Sequence, residues 1–156
     1  MAAAVALAMV DASMEEIWEQ VLKTAPEDSW FRETLLRADR IVEEAQGKIE
    51  DAWMPLHNEL FSTHRSTVAE ALPEVFGCLK LQNSSFKSGL LVAANFGRDA
   101  DTIGAVAGAV LGARYGKKSI PAHWLEKTRY PSGTCLKFTK GIDLFEYGER
   151  LAQLIV

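Results

Sequence analysis

Residues 95–116 read Asn95-Phe-Gly-Arg-Asp99-Ala-Asp101-Thr102-Ile-Gly104-Ala-Val-Ala-Gly108-Ala-Val-Leu-Gly112-Ala-Arg-Tyr-Gly116. Glycine recurs at every fourth position, which on a helix places Gly104, Gly108 and Gly112 along one ridge. The spacing predicts a helix from Thr102 to Tyr115, with Gly116 at the left-handed position that commonly ends one. An interior glycine costs about 0.8–1 kcal/mol relative to alanine, so three give up roughly 2–3 kcal/mol of helix preference. Interleaved with Ala105, Ala107, Ala109 and Ala113, the ridge is expected to offset that cost by letting another backbone approach closely. Membrane helices use the same device, but Asp99, Asp101 and Arg114 bracket too short a span for a bilayer.

The N-terminal edge of this helix carries the chemistry. Asp99 and Asp101 are two residues apart, a spacing that in a looped segment projects both side chains the same way, and Thr102 adds a third oxygen. A single Asp at a helix start is most often a cap. Two carboxylates this close repel unless a cation or strong donors lie between them, and oxygen-only ligands favour Mg²⁺, Mn²⁺ or Ca²⁺ over zinc. Three ligands leave an octahedral shell incomplete, so water, substrate or other protein groups must supply the rest. The packed ridge would fix the two aspartates in place.

Outward from this motif, nearly everything reads as helix. Residues 1–10 are apolar all round, which predicts burial on most sides. Asp11 or Ser13 can cap a helix bearing Ile17, Trp18, Val21 and Leu22 on its apolar face and ending at Pro26. Ser29 precedes a longer run with Phe31, Leu35, Leu36, Ile41 and Val42 at helical spacing, broken at Gly47. Residues 51–66 lack periodicity, contain Pro55, His57 and His64, and are expected to form a loop. A helix resumes at Ser66 or Thr67 with Val68, Leu72, Val75, Phe76 and Leu79 as its stripe and Pro73 as a potential kink. Phe86 to Phe96 forms another, and Gly97 breaks it. Beyond Ile120-Pro121, a turn or two is expected over 123–130, a chain reversal at Tyr130–Gly133, and a last helix over 142–156. Cys135 to Thr139 alone approaches a strand-like alternation. The fold class is all-α.

At 156 residues the chain has room for one domain with a real core. Its 48% apolar and 24% charged content is that of an ordinary globular protein. A formal net charge of −4, with Lys117-Lys118 the only adjacent basic pair, argues against a nucleic-acid surface. The apolar start lacks a basic leader and is half the length of a membrane span, so neither a signal peptide nor a membrane anchor is expected. Cys78 and Cys135 do not make a disulfide framework and are expected to be reduced thiols, which suits the cytoplasm. His57, His64 and His123 have no spacing for a metal pair and are read as surface or polar-core residues. Trp18, Trp30, Trp53 and Trp124 are read as core or interface residues. Asn83-Ser84-Ser85 fits a glycosylation acceptor but is most simply a cap or loop.

The motif from Asn95 to Gly116, followed by Ile120-Pro121 and Trp124, resembles the C-terminal signature of the ADP-ribosylglycohydrolase family: Gly-Gly/Arg-Asp-x-Asp-Thr/Ser opening a small-residue helix, then Tyr-Gly, Ile-Pro and Trp. The likeness is specific over residues 90–125. Weaker similarity extends upstream, where Val68-Ala-Glu-Ala-Leu-Pro-Glu resembles the family's V-x-E-x-L-P segment. The resemblance implies an orthogonal multi-helix bundle and a binuclear Mg²⁺ (or Mn²⁺) site that hydrolyses the glycosidic bond between ADP-ribose and an acceptor. By matching position, Asp99, Asp101 and Thr102 would be metal ligands. Gly97 and Arg98 would lie beside the bound ribose and Asn95 would support the turn, these three forming the substrate side.

The family also draws ligands from a Thr/Ser-Asp-Asp triplet in its N-terminal half, and a Glu near its start serves the chemistry. This sequence contains no such triplet. Residues 1–156 are therefore expected to be the C-terminal part of a single domain, truncated at the N-terminus, with about half of the metal site. No catalytic residue is assigned, and activity of the chain alone is not expected. Exposed apolar surface that favours an N-terminal half or self-association would follow. The alternative is a non-catalytic structural or binding module on the same fold.

Overall fold

A computed structural model describes residues 1–154, and every regular element among them is helical. The chain divides into two compact units, Met1–Ser119 and Ile120–Val156. The first contains α1 (Ala2–Met9), α2 (Met14–Thr24), α3 (Trp30–Glu44), α4 (Ile49–Glu59), α5 (Val68–Leu81), α6 (Phe86–Asn95) and α7 (Ala100–Tyr115), then a 3-10 turn at Lys117–Ser119. The second contains α8 (Ala122–Thr128), a 3-10 turn at Lys137–Thr139 and α9 (Leu144–Ala152). No helix among the described residues is long and apolar enough to cross a membrane.

Helix α5 is the centre of the first unit, with α3, α7, α6, α4 and α2 packed against it. From Ala69 to Leu79 only Leu72 escapes full burial, so this helix has core on nearly all sides. The sequence stripe placed Val68 in the core; it is 58% exposed, because the burial begins one residue later. Pro73 sits inside α5 without ending it.

Local signals set the other helices. Ser13 accepts the backbone N–H of Glu16 while the Glu16 carboxylate accepts that of Ser13, a reciprocal capping box that starts α2. Asp11 does not cap; it takes φ +59° in the turn after α1 and pairs with Arg114 of α7. Ser29 caps α3, and Arg32 donates back to the carbonyl of Leu22 at the end of α2. Ser85 caps α6, which is the role of the Asn83–Ser85 segment.

The expected loop at 51–66 is overturned over most of its length, because α4 runs from Ile49 to Glu59. Ala52, Leu56 and Leu60 are buried at four-residue intervals, a stripe too sparse to register among the polar residues around it. That burial holds the helix through Pro55, whose missing N–H would otherwise favour a break. The strand-like alternation at Cys135–Thr139 is resolved as bends and a 3-10 turn. Helix α1 buries only Ala4 and Ala8, while Met1, Met9 and Val10 are exposed, so burial on most sides does not hold for residues 1–10.

Helices α6 and α7 pack side by side, and the glycine ridge faces α6. A Cβ built on Gly104 would meet Ala94 at 3.6 Å, on Gly108 Leu90 at 3.5 Å, and on Gly112 Phe86 at 3.8 Å. These are ordinary contacts, so the ridge tolerates more bulk than its sequence suggests. The glycine that the packing does require is Gly89, on α6, where a Cβ would come within 2.8 Å of both the Gln82 carbonyl oxygen and Leu111. Gly112→Ala is therefore expected to raise stability by about 0.5–1 kcal/mol, through helix propensity alone. Gly89→Ala should lower it by about 1–3 kcal/mol, through overpacking against backbone. Denaturant midpoints of the two variants measure both signs.

In the second unit, the Asp143 carboxylate accepts the N–H groups of Phe145 and Glu146, capping α9, and receives Arg129 Nε at 2.8 Å. These donors hold its carboxyl down to about 2. The last helix, expected over 142–156, is observed as Leu144–Ala152; the end of that expectation, residues 155–156, lies outside the described residues.

Candidate metal centre

Helix α6 ends with Phe96 buried, and the chain then reverses through consecutive left-handed residues, Gly97 at φ +97° and Arg98 at φ +52°. The second is uncommon for a non-glycine residue. This turn delivers Asp99 to the N-cap position of α7, where its carbonyl accepts the N–H of Ile103 at 2.9 Å. Its side chain, however, makes no cap hydrogen bond. Asp99 is 6% exposed, and among the described residues its carboxylate has no hydrogen bond or ion pair. Capping alone does not explain an acid set so far into the fold whose carboxylate declines to cap.

Asp101 and Thr102 occupy the first turn of α7, and both are exposed. The alternation expected of a looped segment thus applies only up to Asp99, because helical geometry takes over at Ala100. One inner carboxylate and two outer oxygens thus lie at the N-terminus of α7. No group of three or more His, Cys, Asp or Glu side chains placed to hold a metal exists among the described residues. The donor set at this turn nevertheless fits one side of a hard-cation shell: all oxygen, none committed elsewhere, and short of the six positions such an ion fills.

The other three residues of the motif are placed differently. Asn95 is exposed at the end of α6 and donates its amide back to the Leu91 carbonyl at 2.7 Å. Gly97 lies against α4, its missing Cβ 3.8 Å from His57 Nε2. Phe96 is flanked there by Trp53 at 5.2 Å and His57 at 5.8 Å between ring centroids. Arg98 turns inward: its Nε donates to Glu70 Oε1 at 2.6 Å and its Nη2 to the Ser62 carbonyl at 2.8 Å. The guanidinium also covers the Phe61 ring at 4.3 Å. An open cleft of about 450 Å³ beside it is lined by Thr63, His64, Arg65, Ser66 and Arg98.

Two acids behind this turn, Glu70 and Glu74, lie in the Val68–Glu74 segment of the family resemblance, where the sequence assigned them no role. Both are fully buried on α5, one helical turn apart. Burial alone would raise the Glu70 carboxyl, but hydrogen bonds from Arg98 and Ser62 outweigh it and hold the group below its usual value. Glu74 has no hydrogen-bond partner for either oxygen among the described residues. Desolvation first, then the negative charges of Glu70 and Asp99, push it up to about 8, against a smaller opposing effect of Arg98. Glu74 in turn helps burial push the Cys78 thiol up. A signal for both acids was present in Ala69-Glu-Ala-Leu-Pro-Glu-Val-Phe-Gly-Cys-Leu79: charges embedded in an otherwise apolar run of a helix.

A family model described as ADP-ribosylglycohydrolase matches residues 1–155. Three curated relatives match shorter segments. The ADP-ribosyl-[dinitrogen reductase] glycohydrolase of Rhodospirillum rubrum is 54% identical over 43 residues, covering 28% of this chain and 15% of that protein. The ADP-ribosylarginine hydrolase Tri1 of Serratia proteamaculans (strain 568) is 46% identical over 43 residues, 28% of this chain and 12% of the relative. Its namesake from Pseudomonas putida (strain GB-1) is 40% identical over 48 residues, 31% of this chain and 13% of the relative. The matched segments thus span 12% to 15% of these relatives' lengths. No solved structure gives a significant match.

Proposed function

This chain belongs to the ADP-ribosylglycohydrolase family, and from that premise we propose that it carries the C-terminal half of a metal-dependent site for cleaving the bond between ADP-ribose and an acceptor. The observation that carries the reading is Asp99, a residue only 6% exposed at a helix start, whose carboxylate neither caps the helix nor pairs with a cation among the described residues. Asp99, Asp101 and Thr102 would hold Mg²⁺ or Mn²⁺, which when bound supplies charge stabilisation at the ribose hydroxyls and an oriented water. The remaining ligands of a binuclear site would come from a Thr/Ser-Asp-Asp segment that this sequence lacks, so the chain alone is not expected to turn over.

The residues present would bind and orient. Gly97 allows the left-handed turn beside His57 of α4, and a ribose would lie next to it. The cleft beside Arg98 offers the Arg65 guanidinium, the His64 imidazole and the Thr63 and Ser66 hydroxyls, a lining that suits an anionic diphosphate. Two of the relatives are ADP-ribosylarginine hydrolases, which makes ADP-ribosyl-arginine the first substrate to assay. Two free thiols fit a cytoplasmic protein.

The test is Mn²⁺ binding by paramagnetic resonance, on the chain alone and with an added N-terminal half from a relative. Asp101→Ala is expected to abolish binding. Asp99→Ala should do the same without the loss of about 0.5–2 kcal/mol that removal of a working cap brings. Unchanged Mn²⁺ binding in both variants would reject the site, and hydrolysis that never appears with the N-terminal half present would favour the non-catalytic module.

A further inference from the structure

Glu70, Arg98 and Ser62 close a ring of charge-assisted hydrogen bonds. Glu70 Oε1 accepts from Arg98 Nε at 2.6 Å, Glu70 Oε2 accepts the Ser62 N–H at 2.6 Å, and Arg98 Nη2 donates to the Ser62 carbonyl at 2.8 Å. The ring joins α5, the segment after α4 and the turn before α7. Phe61 covers the guanidinium face, and the Glu70 side chain is fully buried.

Helix packing by itself gives no reason for this arrangement. Burying a carboxylate costs several kcal/mol before pairing, and an apolar pair of similar volume would hold the helices at least as well. The ring does restrain one thing that packing does not, the backbone of Arg98. That residue sits at φ +52°, a conformation that costs a non-glycine residue about 1 kcal/mol or more and persists only when the surroundings over-determine it. The very next residue is Asp99. Fixing Arg98 at both its side chain and its φ fixes where the Asp99 carboxylate emerges.

We infer that Glu70 is a positioning residue for the cation-binding turn, acting through Arg98 and the Ser62 backbone to aim Asp99. The inference rests on the metal reading above, and it assigns Arg98 to the support of the site, with its guanidinium engaged by the protein. Groups that orient metal ligands typically change metal affinity by about 10–100-fold when removed.

The experiment uses the intact chain and Mn²⁺ as the probe. Glu70→Gln is expected to weaken Mn²⁺ binding about tenfold or more while the protein still melts cooperatively. Arg98→Ala should weaken it similarly, and millimolar methylguanidinium should restore affinity in Arg98→Ala but not in Asp101→Ala. Rescue of that kind would not follow from a general loss of packing. Mn²⁺ affinity of Glu70→Gln within twofold of the parent, or Arg98→Ala that loses affinity without rescue, would overturn the inference. If the parent chain binds no Mn²⁺ even with the N-terminal half added, the metal reading fails, and hydrogen exchange then decides the positioning. Exchange about tenfold faster at Ser62 and residues 97–100 of Glu70→Gln, with α2 unchanged, supports it; unchanged exchange there overturns it.

Discussion

Replacing Glu74 with methionine is expected to stabilise the protein by about 1–3 kcal/mol at pH 8, the usual cost of a buried polar group left without a partner. Few core positions carry so clear a case. The side chain is fully buried, neither oxygen finds a donor among the described residues, and Glu70 and Asp99 add negative charge nearby. Methionine keeps the volume and adapts to irregular surroundings.

The sign of the pH dependence follows from linkage. A carboxyl raised to about 8 in the folded chain, against an ordinary value near 4.5, retains a proton that the unfolded chain has released. The folded state therefore binds more protons between those two values, and stability falls as pH rises through that window, levelling above it. Glu70, Arg98, Asp99 and Cys78 are the titratable or charged neighbours that share this environment. Glu74→Gln should flatten the slope between pH 5 and 8, as read by urea midpoints in the presence of a chelator, while Glu74→Met should raise the whole curve. A parent protein whose stability is level or rising over that range would contradict a neutral Glu74.

What the sequence disclosed and what it hid divide along physical lines. The α7 helix and its acidic start were legible because a four-residue repeat is a direct image of helical geometry, and because oxygen donors at a helix start are few. Helix α4 was obscured because Ala52, Leu56 and Leu60 are too few to outweigh Pro55 and the polar residues around them. The exposure of Met9 and Val10 was illegible for a different reason. Hydropathy reports what a residue would favour, and a helix apolar on every side does not reveal which side finds a neighbour. The motif drew attention to Asp99, Asp101 and Thr102 but not to their unequal burial, since that depends on where the loop ends and the helix begins. Glu70 and Glu74 were hidden by the strongest prior of all, that Glu belongs in water. Only the pairing of Arg98 with an acid 28 residues upstream reveals why one of them does not.

That pairing separates stability from function in a way that a second set of variants can expose. Arg98→Met removes the partner of a fully buried carboxylate and should cost about 2–4 kcal/mol, somewhat below the range for a wholly buried pair because Arg98 is still 19% exposed. Glu70→Met alone should cost less, since a partly solvated guanidinium tolerates the loss of its partner better than a buried carboxylate does. In the double variant neither charge remains to be desolvated, and the apolar side chains can pack together, so most of the stability should return. Urea midpoints of the four proteins complete the cycle, and single-variant costs that simply add would show that the two residues do not act as a pair. The consequence for the site runs the other way. The double variant lacks the fork that restrains Arg98's position on the chain, so it should fold well and still bind Mn²⁺ weakly. A protein that regains its stability without regaining its cation affinity would show that the buried charges were retained for the geometry of Asp99 and not for the strength of the fold.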